Sequence, residues 1–238
     1  MKDKESNGII YSIGLGPGDP ELITVKAQNI MARSDVVVVP QSDELGRSIA
    51  KDIVLNYVAL EKIQTYYFPM NNKRQELERR YQELAQTLKS MLDAGSTVAY
   101  VTMGDPTIFS TSIYITHELQ QLGVEVRHVP GISSINAATS LAGIALCQKG
   151  EDFGVYELPK TADEIAALIH RHHSTVFMKV GKSLDVLLEA VRQTTPDTAL
   201  LAQRIGLSEE TIYDLKTVTP PTEAGYLSIA IIKSKRCV

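Results

Sequence analysis

Continuous apolar runs alternate with amphipathic segments along the chain. Ile9–Gly14 and the β-branched run at Asp35–Pro40 have the character of strands buried on both faces. Lys73–Ala94 carries leucine and tyrosine side chains along one helical face and ends at Gly95, and a shorter helix is predicted to begin near Leu22. This alternation of strand and helix predicts a mostly parallel α/β sheet in the first part of the chain.

The pattern continues to the C-terminus and predicts a second α/β region. Strands are predicted at Thr65–Phe68, Thr97–Thr102, Val124–Val129, Phe153–Leu158, Thr175–Val180, Ala199–Arg204 and Tyr226–Ile232. Helices are predicted at Ser112–Leu122, Ser134–Leu141, Ala162–His170 and Leu184–Val191. We expect two domains, residues 1–122 and 123–238, with a hinge at Pro130–Gly131.

Composition and charge narrow the classes of function. The chain has 238 residues, of which 44% are apolar, and this is enough for ordinary packed cores. A formal charge of -4 argues against a nucleic-acid partner, so an anionic ligand would need a local basic patch. Cys147 and Cys237 lack the spacing of a zinc site or a disulfide framework. The N-terminus has no run suited to a signal peptide or a membrane span, and we expect a cytoplasmic protein.

The first of four unusual turns follows the strand at Ile9–Gly14. Residues Gly14–Pro20 hold three glycines and two prolines. The prolines stand where a dinucleotide fingerprint needs free amides, so the turn does not suit a pyrophosphate. A rigid loop that exposes carbonyl oxygens suits a nucleoside or a sulfonium, although a plain tight turn is the alternative.

The second and third turns also follow predicted strands, where α/β proteins bind ligands. At Thr102–Ile108, Asp105 is a natural ligand for ribose hydroxyls or an ammonium group, although Gly-Asp-Pro is also a common turn. At Val129–Ser134, two hydroxyls stand at a helix start, where they could equally cap the helix.

The fourth turn, Val176–Gly181, brings Met178 and Lys179 to a strand end, although Met178 alone would be read as a core methionine. Nearby, Arg171, His172 and His173 are interpreted as solvated cations at a helix end rather than as a metal site.

Taken in order, these turns resemble the tetrapyrrole methylase family, whose opening motif G-x-G-P-G-D-P-x-L-I-T stands here at Gly14–Thr24. The resemblance runs from Ile9 to Ile232. It implies the tetrapyrrole methylase fold, with two α/β domains, a mostly parallel first sheet, a mixed second sheet and an active site in the cleft between them. It also implies S-adenosyl-L-methionine as cofactor, S-adenosyl-L-homocysteine as product, a small tetrapyrrole substrate, no metal and a homodimer.

The resemblance also implies cofactor contacts, carried over at matching motif positions. Asp105 is expected to bind the polar end of the cofactor, and Met178 is expected to pack near the adenine. Ser133 and Ser134 depart mildly from the Thr-Ala or Thr-Ser common in the family. The full implied set is Leu15, Pro17, Met103, Gly104, Asp105, Ile108, Ser133, Ser134, Met178 and Gly206.

Within the family, other segments resemble the methylase that acts on carbon 20 of precorrin-2 or cobalt-factor II in cobalamin synthesis. The strand end Val38–Ser42 lacks the aspartate found there in uroporphyrinogen methylases. Further matches are Tyr67–Met70, Gly104–Tyr114, Gly143–Asp152 and Met178–Gly181. Whether the substrate carries cobalt stays open at this point.

Methyl transfer from a sulfonium to carbon is an in-line displacement that mainly requires fixed distance and angle in a site shielded from water. We hypothesise that Lys179 balances substrate carboxylates or assists proton movement, and that Arg204 is a second carboxylate partner. Tyr114 is a candidate for stacking on the macrocycle, with an ordinary core tyrosine as the alternative.

Four alternatives remain for the function. The acceptor could be another tetrapyrrole, or a modified protein histidine or ribosomal RNA; the low charge weakens the RNA case. A degenerate methylase domain that only binds a ligand or a partner is the fourth alternative, and the four intact turns argue against it.

Overall fold

The strand and helix pattern folds into two compact units, residues 1–133 and 134–238, each with its own sheet. The structure is a computed structural model that describes residues 8–41, 48–68, 74–225 and 227–234. The sequence predictions made for Ser42, Pro69–Met70, Lys73, Tyr226 and Cys237 lie outside these ranges.

The first unit contains a five-stranded parallel sheet in the order β3-β2-β4-β1-β5. Its strands are β1 (Ile9–Gly14), β2 (Val36–Gln41), β3 (Ile63–Tyr67), β4 (Val98–Thr102) and β5 (Glu125–Val129). Its helices are α1 (Val25–Arg33), α2 (Ile49–Val54), α3 (Arg74–Asp93) and α4 (Ser112–Gln121). Val37 and Val39 pack on one face of the sheet and Val38 on the other, which explains why β2 is apolar throughout.

The second unit contains a mixed sheet in the order β6-β7-β10-β8-β9, in which only β6 and β7 pair in parallel. Its strands are β6 (Phe153–Glu157), β7 (Ser174–Met178), β8 (Thr198–Gln203), β9 (Thr211–Asp214) and β10 (Ser228–Lys233). Its helices are α5 (Ser134–Leu141), α6 (Ala162–Arg171) and α7 (Leu184–Thr194). A parallel sheet followed by a mixed sheet confirms the predicted fold class.

The structure differs from the sequence prediction at several element boundaries. The units divide after Ser133 rather than after residue 122, because β5 pairs with β1 and belongs to the first sheet. Helix α1 begins at Val25 rather than near Leu22, since Thr24 Oγ1 accepts a hydrogen bond from Ala27 N at 3.2 Å and caps the helix. Helix α2 and strand β9 were not predicted.

Among the described helices, none is both long enough and apolar enough to cross a membrane.

Asp152 contacts both histidines after α6, and the interpretation as a solvated cation is wrong for His172, whereas Arg171 and His173 are exposed. Asp152 Oδ2 lies 2.6 Å from His172 Nδ1, and Oδ1 lies 2.6 Å from His173 Nδ1. The other ring nitrogen of His172 lies 2.6 Å from the hydroxyl of Tyr156, and the His172 side chain is only 14% exposed. The two histidine hydrogen bonds, with that of His172 the stronger, hold the pKa of Asp152 well below its ordinary value.

We expect Asp152→Asn to lower the melting temperature at pH 7, because an amide cannot accept from both imidazoles as a carboxylate does. The folded-state pKa of Asp152 is depressed, so its stabilisation is present above the ordinary carboxyl pKa of about 4 and is lost as the pH falls below it. Thermal denaturation between pH 7 and pH 3 should therefore show a gap between wild type and variant that narrows below about pH 4. Glu189→Gln, at an exposed position on α7, is the control. A difference in melting temperature between wild type and Asp152→Asn that stays constant down to pH 3 would contradict the stabilising role of the Asp152 carboxylate.

Candidate active site

Three glycine backbones meet where β1, β4 and β5 end. A Cβ atom added to Gly14 would lie 2.5 Å from the carbonyl oxygen of Gly104 and 2.6 Å from the amide nitrogen of Gly131. A Cβ added to Gly131 would collide with the same Gly104 oxygen. Only glycine fits at Gly14 and Gly131, and we call the three residues the glycine junction.

Backbone hydrogen bonds fix the first two turns against each other. Leu15 N donates to Thr102 O at 2.9 Å. Gly16 and Gly104 exchange two bonds, with Gly104 N donating to Gly16 O at 2.7 Å and Gly16 N donating to Gly104 O at 3.2 Å. The turns Gly14–Pro20 and Thr102–Ile108 therefore form one rigid edge at the carboxyl ends of the strands.

Asp105 ties the second turn to the third. Its Oδ2 accepts from Gly131 N at 3.1 Å, and its Oδ1 accepts from Thr107 N at 2.8 Å and from Thr107 Oγ1 at 2.5 Å. The carboxylate is half-buried and fixed in orientation, with lone-pair capacity left for a ligand. It can therefore brace the loops and accept from a hydroxyl or an ammonium at the same time.

The other predicted contacts of the first unit fall into two groups. Pro17, Met103 and Ile108 are half-buried at the same edge and can offer apolar surface to a ligand. The Leu15 side chain is fully buried in the core, so a ligand could reach only its backbone. Ser133 is also buried and ends this unit.

Sequence reasoning missed a hydroxyl network behind the second turn. Thr102 Oγ1 lies 2.9 Å from Ser110 Oγ, which donates to Ser112 Oγ at 3.1 Å, and Ser112 Oγ donates to Pro106 O at 2.9 Å. This network ties the turn to the start of α4. The sequence feature that could have revealed this network is the high density of hydroxyl residues between Thr107 and Ser112.

In the second unit, Ser134 is the first residue of α5, and the ends of β7 and β8 bring the other predicted residues to one edge of the sheet. Met178 ends β7 and packs partly buried against the core. Lys179 follows with a φ of 56°, and its Nζ lies 3.4 Å from Glu157 Oε1. Because left-handed backbone at a non-glycine residue carries strain, this conformation indicates a constrained position.

Arg204 holds the corresponding place after β8. Its φ is 54°, its Nε donates to Ser208 O at 3.2 Å, and Glu209 Oε2 lies 3.7 Å from the same atom. Gly206 N donates to Glu210 Oε2 at 3.0 Å. Lys179 and Arg204 thus flank the start of β10, and each already has a carboxylate partner.

Tyr114 lies on α4 and is not a core tyrosine. Its ring stacks on Tyr81 with centroids 5.2 Å apart and an interplanar angle of 13°, and 57% of Tyr114 is exposed. One face of the ring is therefore occupied by Tyr81. A macrocycle could use only the exposed part.

The turns at the ends of β1, β4 and β5 together form what we call the first edge. It fits S-adenosyl-L-methionine better than a nucleotide phosphate. The glycine junction lets backbone approach a ligand closely, Asp105 supplies a fixed anionic acceptor, and Pro17 removes an amide donor. Within the described residues, no three His, Cys, Asp or Glu side chains are grouped so that they could hold a metal ion.

Comparison with solved structures shows the fold. The chain superimposes on a cobalt precorrin-4 methyltransferase with a TM-score of 0.74 and 20% identity, covering 98% of each chain. It also superimposes on a uroporphyrin-III C-methyltransferase from Thermus thermophilus, solved with S-adenosylhomocysteine, with a TM-score of 0.65, 23% identity and coverage of 95% and 92%. The chain therefore shares its fold with these two structures.

The chain belongs to the tetrapyrrole (corrin/porphyrin) methylases, whose family model matches residues 9–219. A probable cobalt-precorrin-2 C(20)-methyltransferase of Methanocaldococcus jannaschii is 31% identical, covering 94% of this chain and 95% of that protein. A cobalt-precorrin-2 C(20)-methyltransferase of Salmonella typhimurium is 33% identical, covering 73% of each. A precorrin-2 C(20)-methyltransferase of a Sinorhizobium species is 26% identical, covering 94% and 95%.

We expect Gly131→Ala to destabilise the first unit strongly, because the added methyl group collides with the Gly104 carbonyl. The added methyl group overpacks the site, so we expect the free energy of unfolding of Gly131→Ala to be about 3 kcal/mol lower than that of wild type. Urea denaturation measures this difference. Gly143→Ala is the control, since its φ of 64° adds strain while no atom lies within 4 Å of the new Cβ. The junction would not be a packing constraint if Gly131→Ala cost no more than the control.

Proposed function

We propose that this protein transfers a methyl group from S-adenosyl-L-methionine to carbon 20 of precorrin-2 in its cobalt form, in cobalamin synthesis. The observation that carries the proposal is the identity of 31% and 33% to two relatives named for that reaction. The relative named for metal-free precorrin-2 is 26% identical, and this difference favours the cobalt form.

The cofactor would be held at the first edge by the residues of the glycine junction, Asp105 and the half-buried Met103 and Ile108. S-adenosyl-L-methionine supplies an electrophilic methyl group when bound, and S-adenosyl-L-homocysteine is left after transfer. Asp105 would accept hydrogen bonds from polar groups of the cofactor, while its own bonds to Gly131 and Thr107 keep it from rotating. This fixed geometry serves a displacement that depends on distance and angle.

Lys179 and Arg204 follow β7 and β8 at one edge of the second sheet, which we call the second edge. They would bind carboxylates of the tetrapyrrole. Their present partners, Glu157 and Glu209, are exposed carboxylates, and exposed ion pairs of this kind are worth about 0–1 kcal/mol. A substrate carboxylate can therefore replace either glutamate at little cost. Lys179 is in addition a candidate to assist removal of the proton from the methylated carbon.

Several further expectations stay predictions. They are a homodimer, a cytoplasmic location, the absence of a nucleic-acid partner, and stacking of Tyr114 on the macrocycle. Support for the absence of nucleic acid is the net charge of -4.

A methylation assay with labelled S-adenosyl-L-methionine tests the function directly. Cobalt-factor II and precorrin-2 are offered in parallel, and the product is followed by absorbance and mass. We expect one added methyl on the cobalt compound and tight binding of S-adenosyl-L-homocysteine by calorimetry. Transfer only to precorrin-2 would overturn the choice of cobalt form. Cofactor binding without transfer to either compound would overturn the carbon-20 assignment, and transfer to purified ribosomes or to a protein would replace it.

The role of Lys179 is tested by Lys179→Ala, with Lys182→Ala as a control at a nearby exposed lysine. Loss of a charge-assisted bond to a substrate carboxylate should raise KM about tenfold or more. A role in proton removal should instead lower kcat and shift its pH profile. The assignment would be wrong if both parameters matched those of wild type.

A further inference from the structure

A groove runs along the first unit between helix α1 and the edge strand β5. Its volume is about 420 Å³, which is within the range of small-molecule sites. Tyr11 and Val129 line it from the sheet, and they pack in the same core cluster as Ile30 of α1. Residues two apart on a strand share a face, so Arg127 lies on the α1 side of the sheet together with Val129. Strand and helix therefore both contribute side chains to this groove.

The groove is basic although the protein is acidic. Lys26 and Arg33 line it from α1, and Arg127 lines it from β5. None of the described residues that line it carries a carboxylate, whereas the whole chain has a formal charge of -4. Positive charges gathered in one concavity repel one another and attract anions from solution. The groove is thus a local basic patch of the kind that an anionic ligand needs.

The stability of helix α1 does not account for Lys26. This lysine is the second residue of α1, and a positive charge in the first turn of a helix opposes the helix dipole. Arg33 stands in the last turn, where a positive charge is favourable, and its Nε donates to Asn29 O at 3.1 Å. A guanidinium has five N–H donors, and this bond uses one of them. An anion in the groove would offset the charge of Lys26 and accept hydrogen bonds from Arg33.

Arg127 is held in position by two neighbours. Its Nε donates to Glu125 Oε1 at 2.7 Å, and its guanidinium also forms a hydrogen bond with the side chain of Tyr11, its register partner on β1. The bond to Glu125 raises the pKa of Arg127 above its ordinary value, so the positive charge is permanent. The Glu125 side chain is 57% exposed, and exposed ion pairs are weak. Arg127 is therefore an oriented cation whose charge is only partly offset.

The spacing of the cations indicates the shape of the ligand. Lys26 and Arg33 are seven residues apart, which is nearly two helical turns, so they share one face of α1 and lie about 10 Å apart along its axis. Arg127 belongs to the strand on the other side of the groove. One small anion suits a single one of these positions, whereas an elongated anion with several charged groups can reach more of them.

We propose that this groove binds a small, elongated polyanion that carries two or more phosphate or carboxylate groups. Lys26, Arg33 and Arg127 supply the positive charge, and arginine and lysine are the usual partners of both groups. Lys179 and Arg204, which the proposed function uses for the substrate, belong to the second unit. The groove is therefore built from other residues, and its test does not depend on methyl transfer.

Calorimetry of the full chain with three anions tests the groove. The anions are tripolyphosphate, the linear dicarboxylate suberate, and orthophosphate. We expect tripolyphosphate or suberate to bind about tenfold more tightly than orthophosphate, because an elongated anion forms charge-assisted bonds to several cations. The tighter of the two distinguishes a phosphate ligand from a carboxylate ligand. The affinity should fall between about 50 mM and about 300 mM sodium chloride, since salt screens these charges.

Variants without the charge locate the bound anion. Lys26→Gln, Arg33→Gln and Arg127→Gln should each weaken binding of the tighter anion about tenfold, because each removes a charge-assisted hydrogen bond. Arg33→Lys keeps the charge and should keep more of the affinity than Arg33→Gln. Arg79→Gln is the matched control, since Arg79 is an exposed arginine of α3 whose neighbour is Glu83. It should leave the affinity unchanged.

Three outcomes would overturn the proposal. The first is that tripolyphosphate and suberate bind no more tightly than orthophosphate. The second is that Arg79→Gln weakens binding as much as the groove variants do, which would mean non-specific attraction. The third is that Arg204→Gln abolishes binding while the groove variants retain it, which would assign the anion to the second edge. Lys26, Arg33 and Arg127 are exposed, so melting temperatures close to that of wild type are expected and would show that the variants are folded.

Discussion

The close approach of three backbones at Gly14, Gly104 and Gly131 is the constraint on which the candidate site depends. A side chain at Gly14 or Gly131 would push the strand-end turns apart, and the exchange of hydrogen bonds between Gly16 and Gly104 could then not form. Asp105 depends on the same contact, because its Oδ2 reaches Gly131 N only while the turns touch. The polar side chains of this edge are therefore oriented by backbone packing.

Much of the first unit was predictable because its signals are local. The valine run of β2 can only be a strand covered on both faces, and the glycine and proline pattern at Gly14–Pro20 marks a turn whatever the rest of the chain does. Since parallel strands end at a common edge, turns identified one by one were expected to lie together. What the sequence could not show is that the glycines of different turns touch one another, because these contacts join turns that are far apart in the chain, with 90 positions between Gly14 and Gly104 and 27 between Gly104 and Gly131.

Other features depend on tertiary partners and could not be predicted from local pattern. Helix α2 is only six residues long and β9 only four, so each is too short to show a repeated pattern of apolar positions. The unit boundary follows from the pairing of β5 with β1, which no local signal encodes. His172 was misread for the same reason, because its partner Asp152 lies twenty residues earlier in the chain.

The two edges achieve rigidity by different physical means, and this difference bears on what each can bind. At the first edge, neighbouring backbones lock together, so the ligand meets a surface that hardly adjusts. At the second edge, Lys179 and Arg204 have left-handed backbone, which fixes where the side chains start. Their ion-pair partners Glu157 and Glu209 are exposed glutamates, so a ligand carboxylate can replace them. A rigid edge suits a cofactor of one shape whose methyl group must be aimed. An edge with exchangeable ion pairs suits a substrate whose several carboxylates must be admitted and then released as product.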